Sequence, residues 1–306
     1  MRVALLAGGT GGAKLAAGMQ ELIGSELAVI ANTADDTWIH GLHVSPDPDL
    51  VTYWLAGEID EERGWGIRDD SFTVHERLER LGAPGWFQLS DRDLAACLYR
   101  THFRAEGGSL TAAQGQIARA LGVRAAVLPM CEEAVRTRVL TPGGWVGLQE
   151  YLIVERSEPP IERIEAQGLD RAVPTTEVRD ALAGADAIVI GPSNPVISIG
   201  PILSVPGMRD AIAASGAPVL AVSPFVAGKA VKGPTEKFMT SIGRTASAEG
   251  AASLYVGVIR AMVVDAGDPD PGPEGLELLS CPTLMEGADG RRGLAERVLD
   301  FARSLG

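Results

Sequence analysis

Five short, almost unbroken apolar runs, each closed by a loop rich in glycine, proline, serine or asparagine, restrict the fold of this chain more than any other feature. They are residues 2–6 (RVALL), Leu27–Ala31 (LAVIA), residues 124–128 (RAAVL), Ala187–Ile190 (AIVI) and Val219–Val222 (VLAV). A strand with one face in water alternates apolar and polar residues, whereas a strand of a parallel sheet covered on both faces is apolar throughout. Residues 13–22 carry helix formers directly after the first glycine turn, so the opening reads strand, turn, helix. The pattern predicts an α/β fold, Rossmann-like, on a mostly parallel sheet.

Two stretches interrupt that rhythm. Residues 50–121 read mainly as helices, around SFTVHERLERLG and SDRDLAACLYRTHFRAEG, and predict a helical insertion beside the sheet. Residues 136–155 (RTRVLTPGGWVGLQEYLIVE) alternate apolar and polar residues around Pro142-Gly143-Gly144, the pattern of a β-hairpin. Residues 267–275 (GDPDPGPEG) form a turn-rich connector before a last strand and a C-terminal helix near 293–305. At 306 residues the length alone admits two ordinary domains or one α/β fold with insertions. The reading adopted is a single α/β unit over 1–306, with the helical insertion at about 50–121 inside it.

Composition narrows the chemistry. A hydrophobic content of 46 % suffices for a substantial core and carries none of the polar bias of disorder. No apolar run approaches the ~20 residues needed to span a bilayer, and MRVALLAGGTGGAKL reaches glycines too early for a signal peptide. A cytoplasmic protein without a membrane partner is expected. The three cysteines, Cys97, Cys131 and Cys281, lack CxxC spacing and suit reduced thiols. His40 and His43 lie too close together in a loop to copy a helical zinc pair. With 40 acidic against 27 basic residues the net charge is −13, which repels nucleic acid. An anionic small molecule remains compatible, through glycine loops, lysines or a divalent cation.

Ligands of an open parallel sheet bind beyond the carboxyl ends of the strands, and the unusual sequences follow strands here. After the first comes Gly8-Gly9-Thr10-Gly11-Gly12-Ala13-Lys14, able to bring amides to a phosphate at a helix N-terminus. It is not the dinucleotide fingerprint, because Lys14 stands where a third glycine is required. Nor is it a Walker loop, because Ala13 and Leu15 replace the required Gly and Ser/Thr. A tight turn without ligand is the plain alternative. After the second strand comes NTADDTWIHG, then SPDPD. There Asp35, Asp36, Asp47 and Asp49 could supply the one or two carboxylates that magnesium takes. Alternatively, Asp35 caps a helix and Asp47 and Asp49 shape a Pro-rich turn. In SDRD a helix cap is the better reading. GPSNPVISIGP after the fourth strand could read a base or hold phosphate. SPFVAGKAVKGP after the fifth adds Lys229 and Lys232, which meet phosphate charge or are simply solvated. Because the loops share one edge of the predicted sheet, together they point to a nucleotide or phosphoanhydride site.

Taken in order, GGTGGAKL, NTADDTWIHGLHVSPDPD, RGWGIRDD, SDRDLA, GPSNPVISIGPIL and SPFVAGKAVKGP resemble the 2-phospho-L-lactate transferase family over nearly the whole chain. The resemblance implies a Rossmann-like core that binds a GDP-linked three-carbon donor and uses Mg2+. It implies transfer of a phospholactyl or phosphoenolpyruvyl group to the ribityl hydroxyl of 7,8-didemethyl-8-hydroxy-5-deazariboflavin (Fo), with release of GMP, in coenzyme F420 biosynthesis. A homodimer is also implied. Carried over by motif, Asp35 and Asp49 are the expected metal ligands, with Asp36 as orienter or base beside Asp35. Gly8, Gly9, Thr10, Gly11 and Gly12 are expected at the phosphates, Ser193, Asn194 and Ser198 at the guanosine diphosphate part, and Lys232 at a phosphate. Trp38 and His40 are expected to border the acceptor, with a core Trp and a surface His as the plain alternatives. The chief rival function is a nucleotide-sugar-binding regulatory protein of the same fold. A nicotinamide oxidoreductase is disfavoured by the failed fingerprint and by Asn32 where a ribose-binding acid is expected.

Overall fold

The computed structural model describes residues 1–269 and 272–306. The chain opens with β1 (Val3–Ala7), α1 (Gly9–Ile23), β2 (Leu27–Ala31) and a small hairpin of β3 (Thr37–Ile39) and β4 (Leu42–Val44). Helices α2 (Pro46–Ala56), α3 (Thr73–Arg80), α4 (Asp91–Ala105) and α5 (Leu110–Ala120) come next, before β5 (Ala126–Pro129), β6 (Arg136–Thr141), β7 (Gly144–Gly147), α6 (Leu148–Ile153), β8 (Arg163–Gln167), α7 (Thr176–Ala183) and β9 (Ala187–Ile190). A π turn (Pro195–Ile199) leads into α8 (Gly200–Ser204), α9 (Met208–Ala214), β10 (Val219–Val222), the two-residue strands β11 (Phe225–Val226) and β12 (Lys229–Ala230), α10 (Thr235–Ser241) and α11 (Ala248–Leu254). Strands β13 (Ala261–Asp265) and β14 (Glu277–Cys281) and helix α12 (Gly287–Ser304) complete it.

The main sheet has seven strands in the order β14-β13-β10-β9-β1-β2-β5, and every pairing in it is parallel. All five runs singled out in the sequence are strands of it. From β1 the chain steps outward through β2 to β5, then returns to β9 on the other side of β1 and continues the opposite way. The point of reversal therefore lies between β1 and β9, where the loops after adjacent strands diverge and leave a crevice.

Both faces of the central strands are dry, as unbroken apolar runs require. Val3, Leu5 and Ala7 point into one core cluster, with α1, α2 and α12, while Ala4 and Leu6 point into the other, with α7, α9 and α11. That is the two-residue period of a strand expressed on two buried faces. Strand β13 (AMVVD) has the same character and sits between β10 and β14, although the sequence reading passed over it.

Three boundaries differ from expectation for identifiable reasons. Helix α1 starts at Gly9, because the glycines form its first turn and do not precede it. The hairpin expected over 136–155 stops at Gly147. Leu148 and Tyr151, three residues apart, both join the cluster of Val139, Ile197 and Phe238, a spacing only a helix can satisfy. The far edge of β6 pairs with β8, making a three-stranded antiparallel sheet. Finally, Pro46 occupies the first turn of α2, so SPDPD begins a helix, with proline in the position that helix starts favour. No single helix among the described residues is long and apolar enough to cross a membrane.

Candidate active site

At the crevice between β1 and β9, Gly9 has φ +63°, a left-handed value glycine adopts without strain, and it turns the chain straight into α1. A Cβ on Gly8 would collide with the Asp47 carboxylate and stand 2.7 Å from Ser198 Cβ, so only glycine lets these two segments close on the turn. The Gly8 amide donates to Ser193 Oγ at 3.1 Å and the Gly9 amide to Asp47 Oδ1 at 2.6 Å. Thr10 and Gly11 follow in the first helical turn, whose amides have no partner inside a helix and favour an anion. Gly8, Gly9, Thr10 and Gly11 line a cavity of about 340 Å³. Gly12 is buried beneath it, where a Cβ would collide with Ser193 Oγ.

The opposite wall comes from the loop after β9. Ser193, Asn194 and Ser198 all line the cavity. Asn194 Oδ1 accepts from the amides of Val196 (2.9 Å) and Ile197 (3.2 Å), and its Nδ2 donates to Thr235 Oγ1 at 3.3 Å. It thus caps the π turn and ties it to α10. Asp265, at the end of β13, accepts from the amides of Ala227 (3.2 Å), Gly267 (2.9 Å) and Thr283 (2.8 Å), which holds the outer rim together.

Two lysines face this space. Lys14 Nζ donates to the Met285 carbonyl at 3.4 Å and lies over the Trp54 ring, while Lys232 Nζ donates to the Gly64 carbonyl at 3.2 Å. Neither has an ion-pair partner among the described residues. Burial and then the charge of Lys14 lower the pKa of Lys232, a repulsion that a bound anion relieves. Lys14 ends the glycine motif, one helical turn into α1, where spacing alone does not give it a role.

Across the cavity stand carboxylates. Asp35 lies in the turn after β2, so it caps no helix. Asn32 Nδ2 donates to Asp47 Oδ2 at 3.0 Å and to Asp35 Oδ1 at 3.4 Å, and Gln149 Nε2 donates to Asp35 Oδ2 at 3.2 Å. Desolvation, then Asp47, then Asp36 raise the Asp35 pKa well above the usual carboxylate range. Desolvation pushes Asp47 up to about 6. Asp36 is fully engaged: Ser45 Oγ donates to its Oδ1 at 2.7 Å and His43 Nε2 lies 2.6 Å from its Oδ2. His43 Nδ1 is 3.0 Å from Arg104 Nη1. Arginine can only donate, so Nδ1 accepts and Nε2 carries the hydrogen given to Asp36. This arrangement anchors Asp36 in the acidic turn.

Asp49, the other expected metal ligand, is paired with a buried arginine. Its Oδ1 is bonded by Arg100, a guanidinium with no solvent exposure that also donates to the His43 carbonyl (3.1 Å) and Gln114 Oε1 (3.1 Å). Asp47, two residues earlier, shares the Asn32 amide with Asp35. Asp49, Asp93 and Cys97 do bring one ligand-type atom each within 4.8 Å of one another, a group able to hold a metal ion.

A second cavity, of about 540 Å³, adjoins the first and shares Asp35, Asp47 and Leu152 with it. Its walls include Tyr53, Trp65, Trp86 and Phe87, contributed by α2 and by the loops of the helical insertion. Trp65 lies in the quoted motif RGWGIRDD; Trp86-Phe87 was passed over, although aromatics inside GAPGWFQLS, a glycine- and proline-marked loop, are a usable signal. Trp38 and His40 line neither cavity. Trp38 is 56 % exposed and stacks on His43, and His40 sits in the exposed turn of the β3–β4 hairpin. Ser90 makes no side-chain cap on α4. Its neighbour Asp91 instead accepts from the amides of Thr73 (3.2 Å) and Val74 (3.0 Å), capping α3.

The chain is similar to known proteins over its whole length. Residues 3–273 match the family model described as 2-phospho-L-lactate transferase CofD. A 2-phospho-L-lactate transferase of Methanopyrus kandleri is 39 % identical, with 100 % of this chain and 99 % of that protein covered. A phosphoenolpyruvate transferase of Streptomyces griseus is 37 % identical, again over 100 % of this chain and 99 % of that protein. Among solved structures, a UPF0052-family protein of Bacillus halodurans shares the fold, with a TM-score of 0.66 and 19 % identity over 97 % of this chain and 98 % of that one.

Proposed function

We propose that this chain, which belongs to the 2-phospho-L-lactate transferase family, moves a phosphorylated three-carbon acid from a GDP-linked donor to the ribityl hydroxyl of Fo, releasing GMP, as a step in coenzyme F420 biosynthesis. One observation carries the reading: two cavities of different character meet at Asp35 and Asp47. The first has helix amides and two lysines without carboxylate partners, a setting for a diphosphate. The second has flat aromatic walls and fits a planar acceptor better than Trp38 and His40 do.

The acids at the junction suit Mg2+. Asp35 Oδ1 and Asp47 Oδ2 converge on one Asn32 amide, and neither side chain has an ion-pair partner among the described residues. Hard oxygen donors with uncompensated negative charge are what this cation requires. When bound there, Mg2+ would neutralise charge on the phosphoanhydride and hold it for in-line displacement. Thr10, Gly11, Lys14 and Lys232 would bind the phosphates, and Ser193 and Ser198 the adjoining part of the nucleotide. Asp35, which lines both cavities, would take the hydroxyl proton. As it does so, the hydroxyl oxygen bonds to phosphorus and the GMP oxygen departs. Asp36 holds the acidic turn through His43 and Ser45. Such chemistry asks for positioning and needs no covalent nucleophile.

Mass spectrometry of products from Fo with GDP-linked phospholactate and with GDP-linked phosphoenolpyruvate tests the activity directly. An adduct that carries the three-carbon phosphate, with GMP formed in equal amount, is expected. A protein that binds a nucleotide-sugar, ignores Fo and forms no adduct is the rival regulator.

A further inference from the structure

A pocket of about 260 Å³, smaller than either cavity, opens off their junction and shares Asp35 with both. Arg136 and Arg138 of β6 and Gln149 of α6 are among its walls. Two residues apart on a strand, the arginines share one face, while Thr137 and Val139 are buried on the other. Neither arginine has an ion-pair partner among the described residues. Arg136 donates from Nη1 to the Val135 carbonyl at 2.9 Å, and the rest of its N–H fork has no protein partner among the described residues. Arg138 lies over the Trp145 ring.

Acids also border this pocket, and none of them occupies the arginines. Asp36 is spent on Ser45 and His43, Glu150 is exposed, and Asp35 belongs to the cation site proposed above. Glu165, opposite Arg138 in the β6–β8 ladder, is exposed and forms no ion pair with it. Burial and the neighbouring acids raise the Asp35 pKa while Arg136 lowers it, so the guanidinium is within electrostatic reach of the junction. The proposed donor carries two kinds of negative group. Its diphosphate is matched by the amides and lysines of the first cavity. Its carboxylate lies a few bonds beyond the reacting phosphorus, on the side away from the nucleotide. A planar guanidinium fork matches the two oxygens of such a group.

We infer that Arg136, assisted by Arg138, binds the carboxylate of the donor's three-carbon acid and so selects an acid over an uncharged group at that position. The inference rests on the donor assignment above. In this arrangement the acid turns off the reacting phosphorus into the arginine pocket, the nucleotide extends through the first cavity, and the acceptor approaches from the second. After transfer the carboxylate stays on the product, which the same arginine holds.

Fluorescence titration of the full-length protein, with Mg2+ and GMP present, tests it with three probes that share one fluorophore. They are Fo, its phospholactyl ester, and that ester with the carboxylate replaced by a carboxamide. The native protein should bind the acid about tenfold or more tightly than the carboxamide, the worth of a charge-assisted pair. Arg136→Met should bind the two esters alike, with its affinities for Fo and GDP within about twofold of native, which also shows that the variant is folded. Arg136→Lys keeps the charge without the fork and should retain part of the preference. Arg138→Met should reduce it by a few-fold. Equal affinity of the native protein for acid and carboxamide, with Fo and GDP still bound, overturns the inference and spares the proposed function. An Arg136→Met protein that keeps the full preference overturns it too. If the native protein binds GDP but neither Fo nor its esters, the proposed function falls, and the inference with it.

Discussion

The two cavities were built by different parts of the chain, and they differ in how much of their chemistry is local. The first is made largely by loops that follow β1, β9 and β10, joined by Asp35, Asp47 and α6, so most of its polar groups lie close to a strand end. The second draws on α2, the loops before α3 and α4, α4 itself and α6, elements far apart in sequence. Glycine, proline and serine in a strand-end loop announce a ligand site. An aromatic side chain in a loop hints at a site but does not say which other segments will face it.

Asp47 and Asp49 sharpen the contrast, because they are two residues apart and divide between the two environments. Asp47→Asn removes charge beside Asp35, and turnover should fall on the order of a thousand-fold, about 4 kcal/mol of transition-state stabilisation. Its melting temperature should stay near that of the native protein. A variant with a few-fold loss and an unchanged Mg2+ requirement would return the metal site to Asp49.

Asp49→Asn should behave in the opposite way. It leaves the fully buried Arg100 charge unpaired, a loss of about 3 kcal/mol in folding stability, readable by urea unfolding. Should this variant unfold at the native urea midpoint while losing activity, Asp49 acts at the reacting atoms and the division fails.

The pH dependence of stability reports on both regions at once. Desolvation pushes Asp47 up to about 6 and Asp93 up to about 7, well above an ordinary aspartate. Raised values mean that the folded state holds these protons more tightly than the unfolded chain does. The stability they confer is therefore full below pH ~4 and is lost as pH rises through 6 and 7. Between pH 6 and 8 the cation-free protein should lose about 2 kcal/mol from these two groups. Stabilisation by added Mg2+ should grow over the same range, since protons and the cation compete for Asp35 and Asp47. Thermal melts with and without Mg2+ check both slopes.

The smallest effects separate the cavity aromatics from the exposed one. Trp86→Ala removes a stacking wall, worth about 1–2 kcal/mol, and should raise the acceptor KM about tenfold with the donor KM unchanged. Trp38→Ala, at an exposed position outside both cavities, should alter either KM less than about twofold. The reverse ranking would put the acceptor back against Trp38 and His40.

Much of the fold was legible because its signals are local. The five apolar runs need both faces covered, and the glycines after Leu5-Leu6-Ala7 need a turn into a helix; neither statement depends on distant residues. Strand β13 was passed over although its sequence has the same character. The hairpin was overextended because Leu148 and Tyr151 reveal their helical spacing only through the cluster they enter. The acidic turn was legible as a place where carboxylates gather.

Which carboxylate does what was decided by tertiary structure. Residues two apart on a helix lie on nearly opposite sides of it, so once Pro46 starts α2 at SPDPD, Asp47 must face α1 and Asp35 while Asp49 faces α4 and Arg100. The motif fixes the presence of both acids but not their directions, because direction depends on where the helix begins and on what packs against each face. The sequence by itself determined a parallel α/β sheet with its unusual glycine-, serine- and aspartate-bearing loops along one edge. Only the packing of the insertion onto that edge assigned one acid to the cavity junction, tied the other to a buried arginine, and enclosed an aromatic cavity beside them.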